Sequence, residues 1–295
     1  MSGECRLLVD AGGTNVRFGR ADLAGKIHDA VSLPTTDFAR FEDALAHYID
    51  QLGNDLQFTA AAIAGAGPVG DGQITLTNNA WCIRSEDVGR ILGNAPGVRL
   101  VNDLEAVAYG LPHLSEDDID WIASTQERSR NPQRMLAVNV GTGFGAACVI
   151  RGPHGWVACP SEAGHMTLGA LDSIELDLHR KLAPDPLTVE DVLSGDGVRN
   201  LRAKLVLMDG NATADDWFSI WLARASNTLA LATASWDGVF FCGSVVSAWW
   251  QAADHAAFRK LFIGSGPMRE PLQRTPIGLI RHDLPAFIGL MHLEI

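Results

Sequence analysis

The 295-residue sequence has no uninterrupted apolar run of about 18 residues, which excludes an ordinary membrane span. It has no cluster of lysines and arginines either. Its 35 acidic residues outnumber 23 Lys and Arg, giving a net charge of -12 that repels polyanions. Nucleic acid and anionic membrane are therefore not expected as partners. Cysteine is scarce: Cys5, Cys82, Cys148, Cys159 and Cys242 are odd in number and scattered, with no C-x-x-C or Cys/His metal spacing. They read as buried thiols of a reducing cytosol. The opening "MSGECRLLVD" carries a charge at Glu4 and enters a strand at once, so neither a signal nor a transit peptide is expected. A cytoplasmic location follows from that reading.

What is present is a chain with 47% hydrophobic and 20% charged residues, able to bury a large core in two lobes. Strand and helix patterns alternate, which predicts an α/β fold. Leu7 to Val9 form a short apolar strand, Gly12 and Gly13 a reversal, and Val16 and Phe18 alternate with polar neighbours. That pattern predicts a β-hairpin. Phe41, Ala44, Leu45, Tyr48 and Ile49 have helical spacing. "VRLVNDLEAVAYGLP" reads as a strand over 98–101 running into a helix that ends before Pro112.

The strand, glycine turn and strand of the opening recur in "MLAVNVGTGFGAACVI". Each turn carries a threonine, Thr14 in one and Thr142 in the other, beside Gly12 and Gly13 or Gly141 and Gly143. Glycine turns leave backbone N–H groups able to cradle an anion or a hydrated metal. Neither copy fits the dinucleotide fingerprint, because each joins strand to strand rather than strand to helix. The G-x-x-x-x-G-K-[ST] phosphate loop is absent too. Two such hairpins, one per lobe, can clasp a triphosphate from opposite sides.

With these motifs in place, the chain resembles the bacterial glucokinase family, within the wider hexokinase, acetate kinase, Hsp70 and actin superfamily. "DAGGTNVRFG" is similar to its first phosphate loop, "TNNAW" to a sugar-domain turn, "VNDLEAVAYGLP" to its catalytic Asn-Asp segment and "GTGFG" to its second phosphate loop. "PSEAGH" resembles its sugar-binding Glu and His, "VEDVLSGDGVRNL" a further sugar contact, and "DGVFFCGSVV" its adenosine segment. The matches run in family order from Asp10 to Leu290.

The resemblance implies a two-lobed hexokinase-like α/β fold, a duplicated ribonuclease H-like unit with an interlobe active-site cleft. The small domain is expected at 1–108 joined by 284–295, and the large one at 109–283. It implies ATP-dependent phosphorylation of glucose at the 6-hydroxyl, with Mg2+, small-molecule partners and a homodimer. Asp103 is the candidate general base, since phosphoryl transfer to a hydroxyl needs a carboxylate to take its proton. A carboxylate where a strand meets a helix also reads as an N-cap, and only the resemblance favours catalysis. Asn102, Asp103, Glu162, His165 and Glu190 are implied to hold the sugar. Asp10, Gly12, Gly13, Thr14, Asn15, Gly141, Thr142, Gly143, Gly243 and Ser244 are implied around the nucleotide, with Asp10 holding magnesium through water. Arg17 reads as an exposed hairpin arginine and stays outside that set.

Two departures stand out. Ser244 occupies a position where the family carries a second glycine, and the Cys-rich zinc element of the related ROK sugar kinases is missing. A kinase for another hexose, or a non-catalytic sugar-sensing protein on the same fold, are the competing readings. Trp249 and Trp250 predict one buried and one capping ring.

Overall fold

The computed structural model describes residues 3–53, 56–77, 79–93, 97–122, 129–182, 186–205 and 212–295. The chain divides into two compact units, 1–114 with 283–295 and 115–282.

In the first unit, β1 (Gly3–Ala11), β2 (Asn15–Asp22) and β3 (Ile27–Pro34) form an antiparallel meander. After α1 (Phe41–Leu52), β4 (Leu56–Gly65) lies parallel to β1. Strands β5 (Val69–Gly70), β6 (Gln73–Thr75) and β7 (Cys82–Arg84) make a small separate sheet, followed by α2 (Ser85–Ile91). Strand β8 (Val98–Asn102) pairs parallel with β4 and leads directly into α3 (Asp103–Gly110). The sheet order is β3-β2-β1-β4-β8.

Helix α1 buries Phe41, Ala44, Leu45 and Tyr48, the stripe its period predicts. Tyr48 stacks on Phe18 of β2 at 5.1 Å, so helix and sheet share one core. The opposite helical layer is built from α3 and the distant α10 (Pro285–His292). Gly289 makes this possible, because a Cβ there would stand within contact-breaking reach of the Ala106 carbonyl. Arg6 fastens the end of α10 by donating to the carbonyls of Leu290, Met291 and Leu293 at 3.2, 2.8 and 2.9 Å. The sequence-based boundary at 108 falls inside α3. Since α10 packs along that helix, the unit extends to Leu114.

The second unit holds β9 (Ile119–Trp121), β10 (Arg134–Val140), β11 (Phe144–Gly152), β12 (Gly155–Ser161), β13 (Val239–Cys242) and β14 (Ile277–Ile280) in the order β12-β11-β10-β13-β14-β9. Strands β10, β11 and β12 are an antiparallel meander, and β10, β13 and β14 are parallel. Leaving out β9, this is the strand order and orientation of the first unit, so the repeated glycine turns mark two copies of one topology. Helices α4 (Ser173–Leu182), α5 (Gly195–Leu205), α6 (Ala214–Thr233), α7 (Ser244–Trp250), α8 (His255–Ile263) and α9 (Arg269–Arg274) complete it. Trp221 and Phe218 of α6 anchor its core. Trp250 is buried and Trp249 half-buried, its indole N–H donating to Ser219 Oγ at 2.8 Å. Among the described residues no helix is long and apolar enough to cross a membrane.

Candidate functional site

In both units the candidate residues gather where parallel strands end, the edge at which open α/β sheets hold ligands. At the β1–β2 turn of the first unit, the Gly12 N–H closes the loop on the Asn15 carbonyl at 2.9 Å. It is therefore not available to an anion, unlike the N–H groups of Gly13 and Thr14, which have no acceptor among the described residues. Thr35 Oγ1 and Asn79 Nδ2 both donate to the Gly13 carbonyl, at 2.9 and 3.3 Å, which fixes the turn from behind. Asn79 is thus the described part of the "TNNAW" segment beside this turn; Asn78 lies outside the described residues.

Asp10 and Arg17 face each other in the β1–β2 register and pair at 3.0 Å. Arg17 is exposed, as its hairpin position predicts, and its guanidinium is directed at Asp10. Hairpin register was the signal that could have matched it to Asp10. Burial pushes the Asp10 carboxyl upward, and Arg17 offsets this only in part.

Strand β8 delivers Asn102 and Asp103 to the same edge. The carboxylate expected to compete for the N-cap role is not the cap: Asn102 is. Asn102 Oδ1 accepts from the Leu104 and Glu105 N–H groups at 3.0 and 3.4 Å, and Glu105 reaches back to the Asn102 N–H, a full capping box. The Asn102 amide also donates to the Gly67 carbonyl at 3.4 Å, so its acceptor oxygen is taken up and only N–H capacity remains for a ligand. Asp103 opens the helix, with Oδ1 accepting from Leu104 N–H at 2.8 Å. Burial, reinforced by the charge of Asp10, pushes its carboxyl up to about 6. A carboxylate with that value is ionised at neutral pH yet basic enough to accept a proton.

The β10–β11 turn of the second unit repeats the arrangement. Gly141 N–H closes on the Gly143 carbonyl at 3.0 Å, leaving the N–H groups of Thr142 and Gly143 without an acceptor among the described residues. Glu190 braces this turn: its Oε2 accepts the Phe144 N–H at 2.8 Å, and its own N–H donates to the Gly164 carbonyl at 2.9 Å. A Cβ on Gly143 would stand 2.6 Å from that Oε2. Glu190 therefore ties the glycine turn to the segment carrying Glu162 and His165, a non-local role that the sequence did not reveal. Its Oε1 has no partner among the described residues. Glu162 precedes and His165 ends a 3-10 turn whose Ala163 and Gly164 are buried. Both side chains are exposed and make no hydrogen bond to described residues, free to meet a ligand.

Gly243 follows β13 with φ +106°, and a Cβ there would come within 2.5 Å of the Val140 carbonyl. Glycine is required on both counts. Ser244 begins α7 and borders a cavity of about 720 Å³, walled by Val245, Trp249, Phe218 and Leu261 with Arg202 also lining it.

The family described as Glucokinase matches residues 7–216 and 207–294. A glucokinase of Nitrobacter hamburgensis is 29% identical over 315 residues, covering 98% of this chain and 97% of its own. The crystal structure of a glucokinase from an Antarctic psychrotroph superposes with TM-score 0.84 at 25% identity, over 97% of both chains. That of Balamuthia mandrillaris glucokinase in complex with glucose gives TM-score 0.76 at 20% identity, over 98% of this chain and 93% of that one. With the family match running through both glycine turns, the Asn102–Asp103 junction and the Glu162–His165 turn, the chain belongs to the glucokinase family.

Proposed function

We propose that this enzyme phosphorylates glucose at its 6-hydroxyl with ATP as donor, and that Asp103 is the general base. The carrying observation is the Asp103 carboxyl, pushed up to about 6 at a strand end where Asn102 already supplies the helix cap. In this reading Asp103 accepts the hydroxyl proton as the sugar oxygen attacks the terminal phosphorus in line with the departing diphosphate. Glu162, His165 and the open Oε1 of Glu190 would bind sugar hydroxyls, and the Asn102 amide would donate to one. The unpaired N–H groups of Gly13, Thr14, Thr142 and Gly143 would bind phosphate oxygens, with the two threonine hydroxyls beside them. Ser244 and the cavity at α7 would receive the nucleoside.

Magnesium fits this set through its first-unit carboxylates. No cluster of three or more metal-ligating side chains exists among the described residues, so a protein cage is not on offer. Magnesium needs none, since it keeps waters and uses one or two carboxylates with substrate phosphates. Asp10 is a half-buried carboxylate that Arg17 neutralises only in part, and its charge disfavours ionised Asp103. A cation held by Asp10 would relieve both. When bound, magnesium would offset the charge on the donor phosphate oxygens.

The test is a coupled assay of ADP release across a panel of hexoses, run on the parent enzyme and on Asp103→Asn. Glucose-dependent release that collapses in the variant supports the reading. Release with another hexose but not glucose would reassign the substrate, and sugar binding without any release would favour a sensor.

A further inference from the structure

We propose that Glu175 and Arg224 form a brace that positions the sugar-binding segment 162–172, an inference that rests on the reading of Glu162 and His165 as sugar ligands. Glu175, on the first turn of α4, is 1% exposed. Its Oε1 accepts from Trp221 Nε1 at 2.6 Å and from Arg224 Nη1 at 2.7 Å, and its Oε2 accepts from Arg224 Nη2 at 3.1 Å. Burial works to raise the carboxyl, but Arg224, the Leu171 N–H and Trp221 together hold it below the ordinary glutamate value.

Two of the bonds leave this cluster and end on the backbone that follows His165. Arg224 Nη1 donates to the Gly169 carbonyl at 2.8 Å, and Glu175 Oε2 accepts the Leu171 N–H at 2.9 Å. Upstream, the segment is held along its other side by main-chain bonds: Glu190 N–H to the Gly164 carbonyl, Val189 N–H to the Met166 carbonyl, and Leu168 N–H to the Leu187 carbonyl. That pairing stops at Leu168. Beyond it, the next attachments are Arg224 on Gly169 and Glu175 on Leu171. The exposed side chains of Glu162 and His165 have no partners among the described residues to aim them, so their placement depends on the backbone being held at both ends.

A purely stabilising role explains this cluster poorly. Buried ion pairs stabilise little compared with well-packed apolar groups of similar volume. Apolar groups could join α4 to α6, but could neither donate to the Gly169 carbonyl nor accept from Leu171. Those two backbone bonds are what the charges add.

The variant Glu175→Gln with Arg224→Met keeps an acceptor for Trp221 and removes both attachments. Its KM for glucose should rise about tenfold, the scale of one weakened hydrogen bond to the sugar. Its KM for ATP, and its kcat at saturating glucose, should stay within about twofold of the parent. Arg224→Lys, which retains a donor and the charge, should show a smaller rise in glucose KM. An unchanged glucose KM, or equal losses for both substrates, overturns the proposal. Amide exchange in the Glu175→Gln, Arg224→Met variant, with Arg224→Lys as the comparison, gives a reading that needs no turnover. Faster exchange confined to residues 166–171 supports the brace. No change there, or acceleration spread through α4 and α6, overturns it. If the parent itself fails to phosphorylate glucose, the substrate reading falls while the exchange result still decides the brace.

Discussion

Asn102 Oδ1 and Asp103 Oδ1 share the N–H of Leu104, at 3.0 and 2.8 Å, while the Glu105 N–H goes to Asn102 alone. The helix cap therefore survives the loss of the Asp103 charge.

That sharing makes catalysis and stability separable by one substitution. Asp103→Asn preserves shape and an oxygen for Leu104, so glucose affinity should change little and the variant should melt no lower than the parent at neutral pH. Turnover should fall about 100-fold or more, the scale of general base catalysis. Calorimetric glucose titration and steady-state assay on the same preparation check it. A variant with full turnover removes Asp103 from the role of base.

The raised Asp103 value sets a pH dependence with a definite sign. The base must be ionised, so kcat/KM should decline as pH falls through about 6. Stability runs the other way. A carboxyl whose folded value lies above its unfolded one favours folding fully below the ordinary 3.8, and that contribution is lost as pH rises through about 6. Relative to Asp103→Asn, the parent should thus be more stable at pH 5 than at pH 8. Paired melting curves at the two pH values measure the difference, and a gap of the opposite sign would contradict the burial of an ionising carboxylate.

Much of this was legible in local pattern. The stripe Phe41, Ala44, Leu45 and Tyr48 specified α1, and the twin glycine turns specified the duplicated sheets, because period and turn chemistry act over a few residues. The capping box was legible too, as Asn102 followed three residues later by Glu105, although Asp103 beside it offers the same capping chemistry. Contacts set by tertiary folding left no such trace. Glu190 reaches Phe144 across 46 residues, and Arg224 reaches Gly169 across 55, distances over which spacing carries no information. Which N–H groups stay open left no trace either: Gly12 and Gly141 close their turns, and which amide does so depends on backbone dihedrals.

Glu162 and His165 test the sugar grip directly. Each is exposed and unbonded to described residues, so truncation to Ala should leave the fold intact and act on ligand alone. Loss of either should weaken glucose binding by roughly 1 to 3 kcal/mol, because a sugar hydroxyl would lose its partner. Calorimetry decides it. Unaltered affinity in both variants would make the 3-10 turn at 163–165 a structural element only.

Ser244 tests the nucleotide end. It follows Gly243, whose positive φ turns the chain sharply out of β13, and it borders the cavity at the start of α7 with an exposed side chain. A serine there presents a Cβ and hydroxyl where glycine would present bare backbone. Changing Ser244 to Gly should therefore alter nucleotide affinity while sparing glucose, since Glu162, His165 and Glu190 lie on other elements. Weaker ATP binding by about 0.5 to 1.5 kcal/mol would identify a hydroxyl contact. Tighter binding would identify crowding. Alanine separates the two, because it keeps the Cβ and drops the oxygen: a contact is lost in both Ala and Gly, whereas crowding by the Cβ is relieved in Gly alone. KM values for ATP and GTP at saturating glucose, compared across parent, Ala and Gly enzymes, read these outcomes, and three identical profiles would place the nucleoside away from α7.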